Sequence, residues 1–293
     1  MSIIALGNAL TDILVRLPDE RILEELGIER GGMYLIDSEQ HHRMMSRIGD
    51  FPWSMAAGGS AANMVGGVAA LGTPATYVGH VGEDETGRAF RACQERKRIR
   101  PLLGVSDRTP SGKCISLVFP DGERTMLTYL GAALEIGTEQ LTPENLRGHR
   151  VLFIEGYLLN CPEVIEPAMQ AARAAGVLVA LDAASFTVIR EFRDYAEELI
   201  DRYVDLLFAN EEEAAALTGC ENPEQALERL APRCEIVVVK VGPRGSLIAG
   251  AGERHRIGTI DARPVDKTGA GDLYAAGFLH GFARGPSLRQ CGE

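Results

Sequence analysis

From residue 151 onward short apolar runs alternate with amphipathic stretches, and this alternation restricts the fold more than any other feature. Val151-Leu152-Phe153-Ile154 has strand character. Pro162 to Ala175 reads as a helix, with a proline near its start and Gly176 as its stop. Val177 to Leu181 is the next buried strand and ends at Asp182. Arg190 to Tyr203 predicts a helix, and Asp205 to Ala209 a strand ending at Asn210. Glu211 to Thr218 predicts a short helix closed by Gly219, Pro223 to Leu230 another helix, and Ile236 to Val241 a β-branched strand. Strands that are apolar throughout need cover on both faces. The expected fold is therefore α/β, a three-layer sandwich with a central, mostly parallel sheet. Ligands bind such sheets beyond the carboxyl ends of the strands. Asp182, Asn210, Gly242 and the turn 269–272 all follow predicted strands, so they can converge on one edge.

The first half breaks this rhythm. Cys114 to Phe119 and Thr125 to Leu130 are β-type runs joined by Pro120-Asp121-Gly122-Glu123, and Asp-Gly between such runs signals a hairpin. Gly32 to Asp37 is another candidate strand, after a helical Asp19 to Leu26. We read residues 1–293 as a single α/β domain carrying a small β lid, built from insertions near 13–57 and 110–131. A lid over the substrate edge excludes water. A dimerising flap is the other reading, giving a homodimer through the lid.

A formal net charge of −11, with no Lys/Arg-rich block, argues against a nucleic-acid partner. It does not argue against ATP, because phosphate sites are local. No apolar run is long enough to span a membrane, and Met1 to Leu10 lacks a basic leader and reads as a first strand. Cys93, Cys114, Cys161, Cys220, Cys234 and Cys291 show neither CxxC nor metal-ligand spacing. They are expected to be free thiols, in a cytoplasmic protein.

The chemistry concentrates in Val265-Asp266-Lys267-Thr268-Gly269-Ala270-Gly271-Asp272, which runs into the apolar stretch Leu273 to Leu279. A small-residue turn opens a helix, whose first N–H groups form an anion site. A carboxylate repels a bound anion. Asp272 makes sense there as a base that takes a proton from a hydroxyl attacking a phosphoryl group; a plain dipole partner is the alternative.

Gly58-Gly59-Ser60-Ala61-Ala62-Asn63 opens a second small-residue helix, with Ser60 as its expected N-cap. Asn63, one turn in, suits either a sugar hydroxyl or helix packing. The segment is not a dinucleotide fingerprint, because Trp53 to Ala57 is a poor buried strand. Asn8 and Asp12 flank the end of the first strand, where a carboxylate suits paired hydroxyls or a turn. Asn210 and Glu213 suit water around Mg²⁺, or a simple cap. Lys240 to Ser246 is a glycine-containing turn that faces a nucleotide or only reverses the chain. Arg124 suits a phosphate or an exposed hairpin equally. There is no Walker A motif and no protein-kinase motif set.

Together these residues resemble the ribokinase-like, or phosphofructokinase B, family of carbohydrate kinases. Gly58 to Asn63 resembles its N-terminal signature, and Asp266 to Asp272 its C-terminal one, with Lys267 in place of a usual threonine. Asn210-Glu211-Glu212-Glu213 matches the family's Asn-x-x-Glu motif. The resemblance implies Asp272 as catalytic base and Gly269, Ala270 and Gly271 as the anion hole. It implies Asp12, Asn8, Gly58, Gly59 and Asn63 at the acceptor, and Asn210, Lys240, Gly242, Gly245 and Thr268 at ATP. Glu213 then reaches Mg²⁺ through water. ATP and Mg²⁺ are the implied cofactors, and a monovalent cation is admitted. Family members continue past the helix ending near Arg284, so the C-terminal end of the family fold is expected to be missing. The implied reaction is transfer of the γ-phosphoryl group of ATP to a hydroxymethyl group of a sugar or nucleoside. The segments around Asp12 and 124–133 are similar to the adenosine-kinase-like branch, with Phe51, Trp53, Phe119 and Tyr129 as candidates for a purine slot. A non-catalytic sensor on the same fold is the alternative.

Overall fold

The computed structural model describes residues 1–49, 51–122, 124–260 and 269–293. Strands formed among them are, in chain order, β1 (Ser2–Leu6), β2 (Leu10–Arg16), β3 (Met33–Leu35), β4 (Trp53–Gly58), β5 (Ala75–Gly82), β6 (Ile99–Ser106), β7 (Gly112–Val118), β8 (Arg124–Tyr129), β9 (His149–Glu155), β10 (Leu178–Asp182), β11 (Leu206–Asn210), β12 (Ile236–Lys240), β13 (Ser246–Gly250) and β14 (Glu253–Ile257). They form two sheets. The larger has the order β14-β13-β12-β11-β10-β9-β1-β5-β6 and is parallel from β12 to β6, with β13 and β14 antiparallel at one edge. This is the α/β sandwich the alternation predicts.

Pleating explains why the central strands read as unbroken apolar runs. Ile4 and Leu6 of β1, with Leu152 and Ile154 of β9, point into one core layer. Ile3 and Ala5, with Val151 and Phe153, point into the other. Helices Pro162–Ala174, Arg193–Tyr203, Glu211–Thr218 and Pro223–Leu230 cover the first face. Helices Ser60–Ala70 and Ala270–Arg284 cover the second. The aromatic centre of that second layer is Phe208, 6.5 Å from Phe153 and edge-on to Phe278 at 5.4 Å.

The smaller sheet has the order β3-β8-β7-β2-β4. The expected hairpin is its centre: β7 pairs with β8 on one side and with β2 on the other. One face buries Ile13, Val15, Ile115, Leu117 and Leu127. The opposite face carries Asp12, Cys114 and Thr128, aligned across three strands by register. β4 is a strand, but an exposed edge strand, with Trp53 48% and Met55 56% accessible. This is why its sequence lacks a buried-strand pattern.

One expected helix is two. Phe186–Glu191 and Arg193–Tyr203 meet at Phe192, whose φ of −112° and ψ of 28° break the run expected from Arg190. The first of them packs against the Glu211–Thr218 helix. No helix among the described residues is long and apolar enough to cross a membrane.

Phe208→Ala should lower the unfolding free energy by about 3–5 kcal/mol, because a fully buried ring leaves a cavity that its neighbours fill only partly. Urea unfolding monitored by circular dichroism checks this; a loss below about 1 kcal/mol would mean that this layer is loosely packed.

Candidate active site

A cavity of about 740 Å³ lies between the two sheets. Its floor is the carboxyl edge of the large sheet, around the point where strand order reverses between the β1-β5-β6 arm and the β9-to-β14 arm. Asn8 follows β1 there, while Glu155, Asp182, Asn210 and Lys240 are the last residues of β9, β10, β11 and β12. The roof is the small sheet, which contributes Asp12, Met33, Leu35, Cys114, Met126 and Thr128.

Asp272 is held on the floor by donors from a neighbouring helix start. It sits in the first turn of the Ala270–Arg284 helix, and Gly269 enters that helix in the left-handed region at φ 65°. The Ser60 hydroxyl donates to Asp272 Oδ1 at 2.7 Å, and Asn63 Nδ2 donates to Oδ2 at 3.0 Å. Ser60 is therefore not the N-cap of its own helix. Gly59 occupies that position without a side-chain bond, and the serine hydroxyl serves Asp272 instead. Burial pushes the Asp272 carboxyl up to about 6, with the Asp182 charge adding and the bonds from Asn63 and Ser60 and the Lys240 charge opposing. The N–H groups of Ala270, Gly271 and Asp272 are ones a helix leaves without intrahelical partners. A side-chain carbon on Gly271 would stand 3.2 Å from Lys240 Nζ, so the ammonium lies beside this helix start.

Lys240 is paired with Asp182 at 2.8 Å. Burial alone would lower its pKa, but the charges of Asp182 and Glu213 outweigh it and raise it. Asn210 and Glu213 form a reciprocal capping box: Asn210 N–H and Nδ2 donate to the two Glu213 oxygens, and Glu213 N–H donates to Asn210 Oδ1, each at 2.8 Å. Burial raises the Glu213 carboxyl, with Lys240 opposing. Among the described lining residues, carboxylates outnumber Lys240 and Arg124.

Asp12 faces the cavity from the roof. Burial pushes it up to about 6, Arg124 opposing and Asp272 adding. Gly58 lies behind Asp12, where a side chain would strike the carboxylate. Glu155, which the sequence reading did not single out, is buried beneath Asn8, and burial raises it to about 7 against the opposing bonds from Ala61 and Asn8. Its signal was available, because it terminates an apolar strand just as Asp182 and Asn210 do.

The cavity thus gathers Asn8, Asp12, Gly59, Asn63, Asn210, Glu213, Lys240, Gly242 and Gly269 to Asp272. Gly58 and Gly245 are outside the lining; Gly245, at φ 92°, packs against the Ile257 carbonyl and serves the β12–β13 turn. Thr268, like Asp266 and Lys267, lies outside the described residues. The expected aromatic slot is not formed by the residues named for it. Phe119 is in the small-sheet core with Phe51 against it, Trp53 is exposed, and Tyr129 packs on His41. Tyr34, Tyr157 and Phe192 line the cavity instead. Alternation decides this: Phe119 follows Leu117 and Ile115 on the buried face of β7.

A family model described as pfkB family carbohydrate kinase matches residues 35–293. The chain is 37% identical to the adenosine kinase of Sinorhizobium meliloti, with a TM-score of 0.94 over 100% of this chain and 90% of that one. It is 34% identical to a probable sugar kinase from Rhizobium etli CFN 42, with a TM-score of 0.94 over 99% and 89%. It is 25% identical to the adenosine kinase of Schizophyllum commune over 97% of this chain and 89% of that one.

The raised Asp272 pKa makes a stability prediction. The fold disfavours the charged form, so the penalty is full above about pH 6 and fades as pH falls towards the ordinary value of 3.8. Asp272→Asn should stabilise the protein by about 1–3 kcal/mol at pH 7.5, and the gain should shrink below pH 6. Urea unfolding at pH 7.5 and pH 5 checks this; a variant less stable at pH 7.5 would show that the two hydrogen bonds outweigh desolvation.

Proposed function

The chain belongs to the pfkB family of carbohydrate kinases, sugar and nucleoside phosphotransferases, and we propose that its acceptor is a nucleoside of the adenosine type, phosphorylated on its primary hydroxyl by ATP. The observation that carries this reading is the division of the cavity. A polar floor around Asp272 faces a roof with apolar Met33, Leu35, Met126 and Leu130. A base presents an apolar face to such a roof, and a free pentose does not. The adenosine kinases among its relatives support the same choice.

In the proposed reaction Asp12, Asn8, Gly59 and Asn63 orient the sugar, and Asp12 accepts from paired hydroxyls. The primary hydroxyl gives its proton to Asp272 as its oxygen bonds to the γ-phosphorus. The bond from that phosphorus to the β,γ-bridging oxygen breaks, and ADP leaves. A carboxyl near pH 6 is a stronger base than an ordinary aspartate and is still mostly ionised at pH 7. Ser60 and Asn63 hold both oxygens in place. The first-turn N–H groups of Ala270, Gly271 and Asp272, with Lys240 beside them, face the charge that builds on the phosphoryl oxygens. Asn210 and Gly242 serve the nucleotide. The acidic surplus around Lys240 suits a hydrated dication, which Asn210 and Glu213 would hold through water. Mg²⁺ bound there supplies charge neutralisation of the phosphates. The small sheet, closing as a lid, excludes water from the floor.

Two measurements test this reading. In an ADP-release assay over ribose, fructose, adenosine, guanosine and inosine, adenosine should exceed the free sugars in kcat/KM by roughly a hundredfold or more, the scale a buried base contributes. Preference for a free sugar would overturn the nucleoside assignment. Asp272→Asn should lower kcat by roughly 10²–10⁴ and leave the ATP Kd nearly unchanged, whereas Gly271→Val should weaken ATP binding. Near-normal kcat in Asp272→Asn would mean that another group takes the proton.

A further inference from the structure

Glu155 is only 1% exposed at the cavity floor, and among the described residues its carboxylate gathers three donors. Asn8 N–H and Asn8 Nδ2 both donate to Oε1 at 2.8 Å, and Ala61 N–H donates to Oε2 at 2.9 Å. These donors come from two segments: the loop after β1 and the first turn of the Ser60–Ala70 helix. That same turn carries Ser60 and Asn63, the donors to Asp272.

The backbone is shaped around this junction. A side chain on Gly7 would strike the Glu155 carboxylate. Gly59, at φ 94°, brings its backbone so close to the Asn8 carbonyl that a side-chain carbon would stand 2.5 Å from that oxygen. Tyr77 clamps the loop from below, donating its hydroxyl to the Gly7 carbonyl at 2.9 Å. A buried carboxylate with three donors is costly to leave half satisfied.

We propose that Glu155 is a positioning residue for phosphoryl transfer: its carboxylate locks Asn8 and the start of the Ser60–Ala70 helix together, and so aims Asn8 at the acceptor and Ser60 and Asn63 at Asp272. This assignment rests on the kinase reading of the site. Glu155→Gln keeps the size of the side chain but opposes its amide NH₂ to a donor, whichever way it is turned. We expect the acceptor KM to rise roughly ten- to hundredfold, with a lower kcat and an ATP KM within about twofold of the parent. Hydrogen exchange at the Ala61 amide should quicken at least tenfold, because the glutamine carbonyl is drawn to the two Asn8 donors and leaves the Ala61 N–H facing the NH₂. Glu155→Asp, which keeps the charge but withdraws the oxygens, should show the same pattern and serves if the glutamine variant does not fold. An unchanged acceptor KM, with kcat falling only in step with the folded fraction, would overturn the proposal. Undiminished protection at Ala61 would do so as well. If the unaltered protein phosphorylates no acceptor, it is the kinase reading that falls, and exchange at Ala61 alone decides the role of Glu155.

Discussion

The site depends on one contact between two helix starts, the pair of hydrogen bonds from Ser60 and Asn63 to Asp272. The contact needs the Ser60–Ala70 and Ala270–Arg284 helices to lie close together. Small residues permit this: a side-chain carbon on Gly67 would stand only 2.6 Å from the Ala276 methyl. With the axes that close, the two N-termini meet, and a carboxylate from one is fixed by a hydroxyl and an amide from the other. Both helices pack on the same face of the large sheet, so the rigid core fixes their spacing.

The sheet sets the rest of the floor. Reversal of strand order at β1 opens a crevice at the carboxyl edge, and β9, β10, β11 and β12 end there in Glu155, Asp182, Asn210 and Lys240. The result is electrostatically unfavourable in the absence of ligand. Asp272 and Asp182 repel, Lys240 is shared among several carboxylates, and burial raises Asp12, Asp272 and Glu155 alike. Such strain is typical where a site is arranged for a charged transition state rather than for its own stability. On the proposed reaction, a phosphoryl group arriving between Lys240 and the Ala270–Asp272 turn gives that charge arrangement its purpose.

On the proposed function, the small sheet selects what enters. Its inner core packs against its own helices, and its outer face turns Asp12 and a set of apolar side chains towards the floor. A roof of this make-up suits an acceptor with a hydroxylated half and an apolar half. On the proposed function, acceptor choice in this chain rests on strands remote in sequence from the Gly269–Asp272 turn.

How much of this was legible in the sequence depends on the range of the interaction. The parallel sheet could be read because strands buried on both faces must be apolar throughout, and helix stops such as Gly219 act locally. Asp272, Asn210 and Lys240 could be read because each ends a strand or opens a helix beside small residues. Where an interaction spans the chain, sequence was silent. Ser60 reads as a cap locally, but its partner is 212 residues away. The aromatics that line the cavity escape a local reading: strand alternation sends Phe119 into a core, while Tyr157, in the turn after β9, and Phe192, between two helices, reach the cavity. Glu155 looks like an ordinary strand-end acid until β1, β9 and the Ser60–Ala70 helix are brought together around it. The sequence by itself determined the sheet, its covering helices and the small-residue helix start at Gly269–Asp272, since these follow from local periodicity and backbone freedom. Only the tertiary structure decided which side chains hold the carboxylates and which line the roof, since those choices rest on desolvation and on contacts between segments distant in the chain.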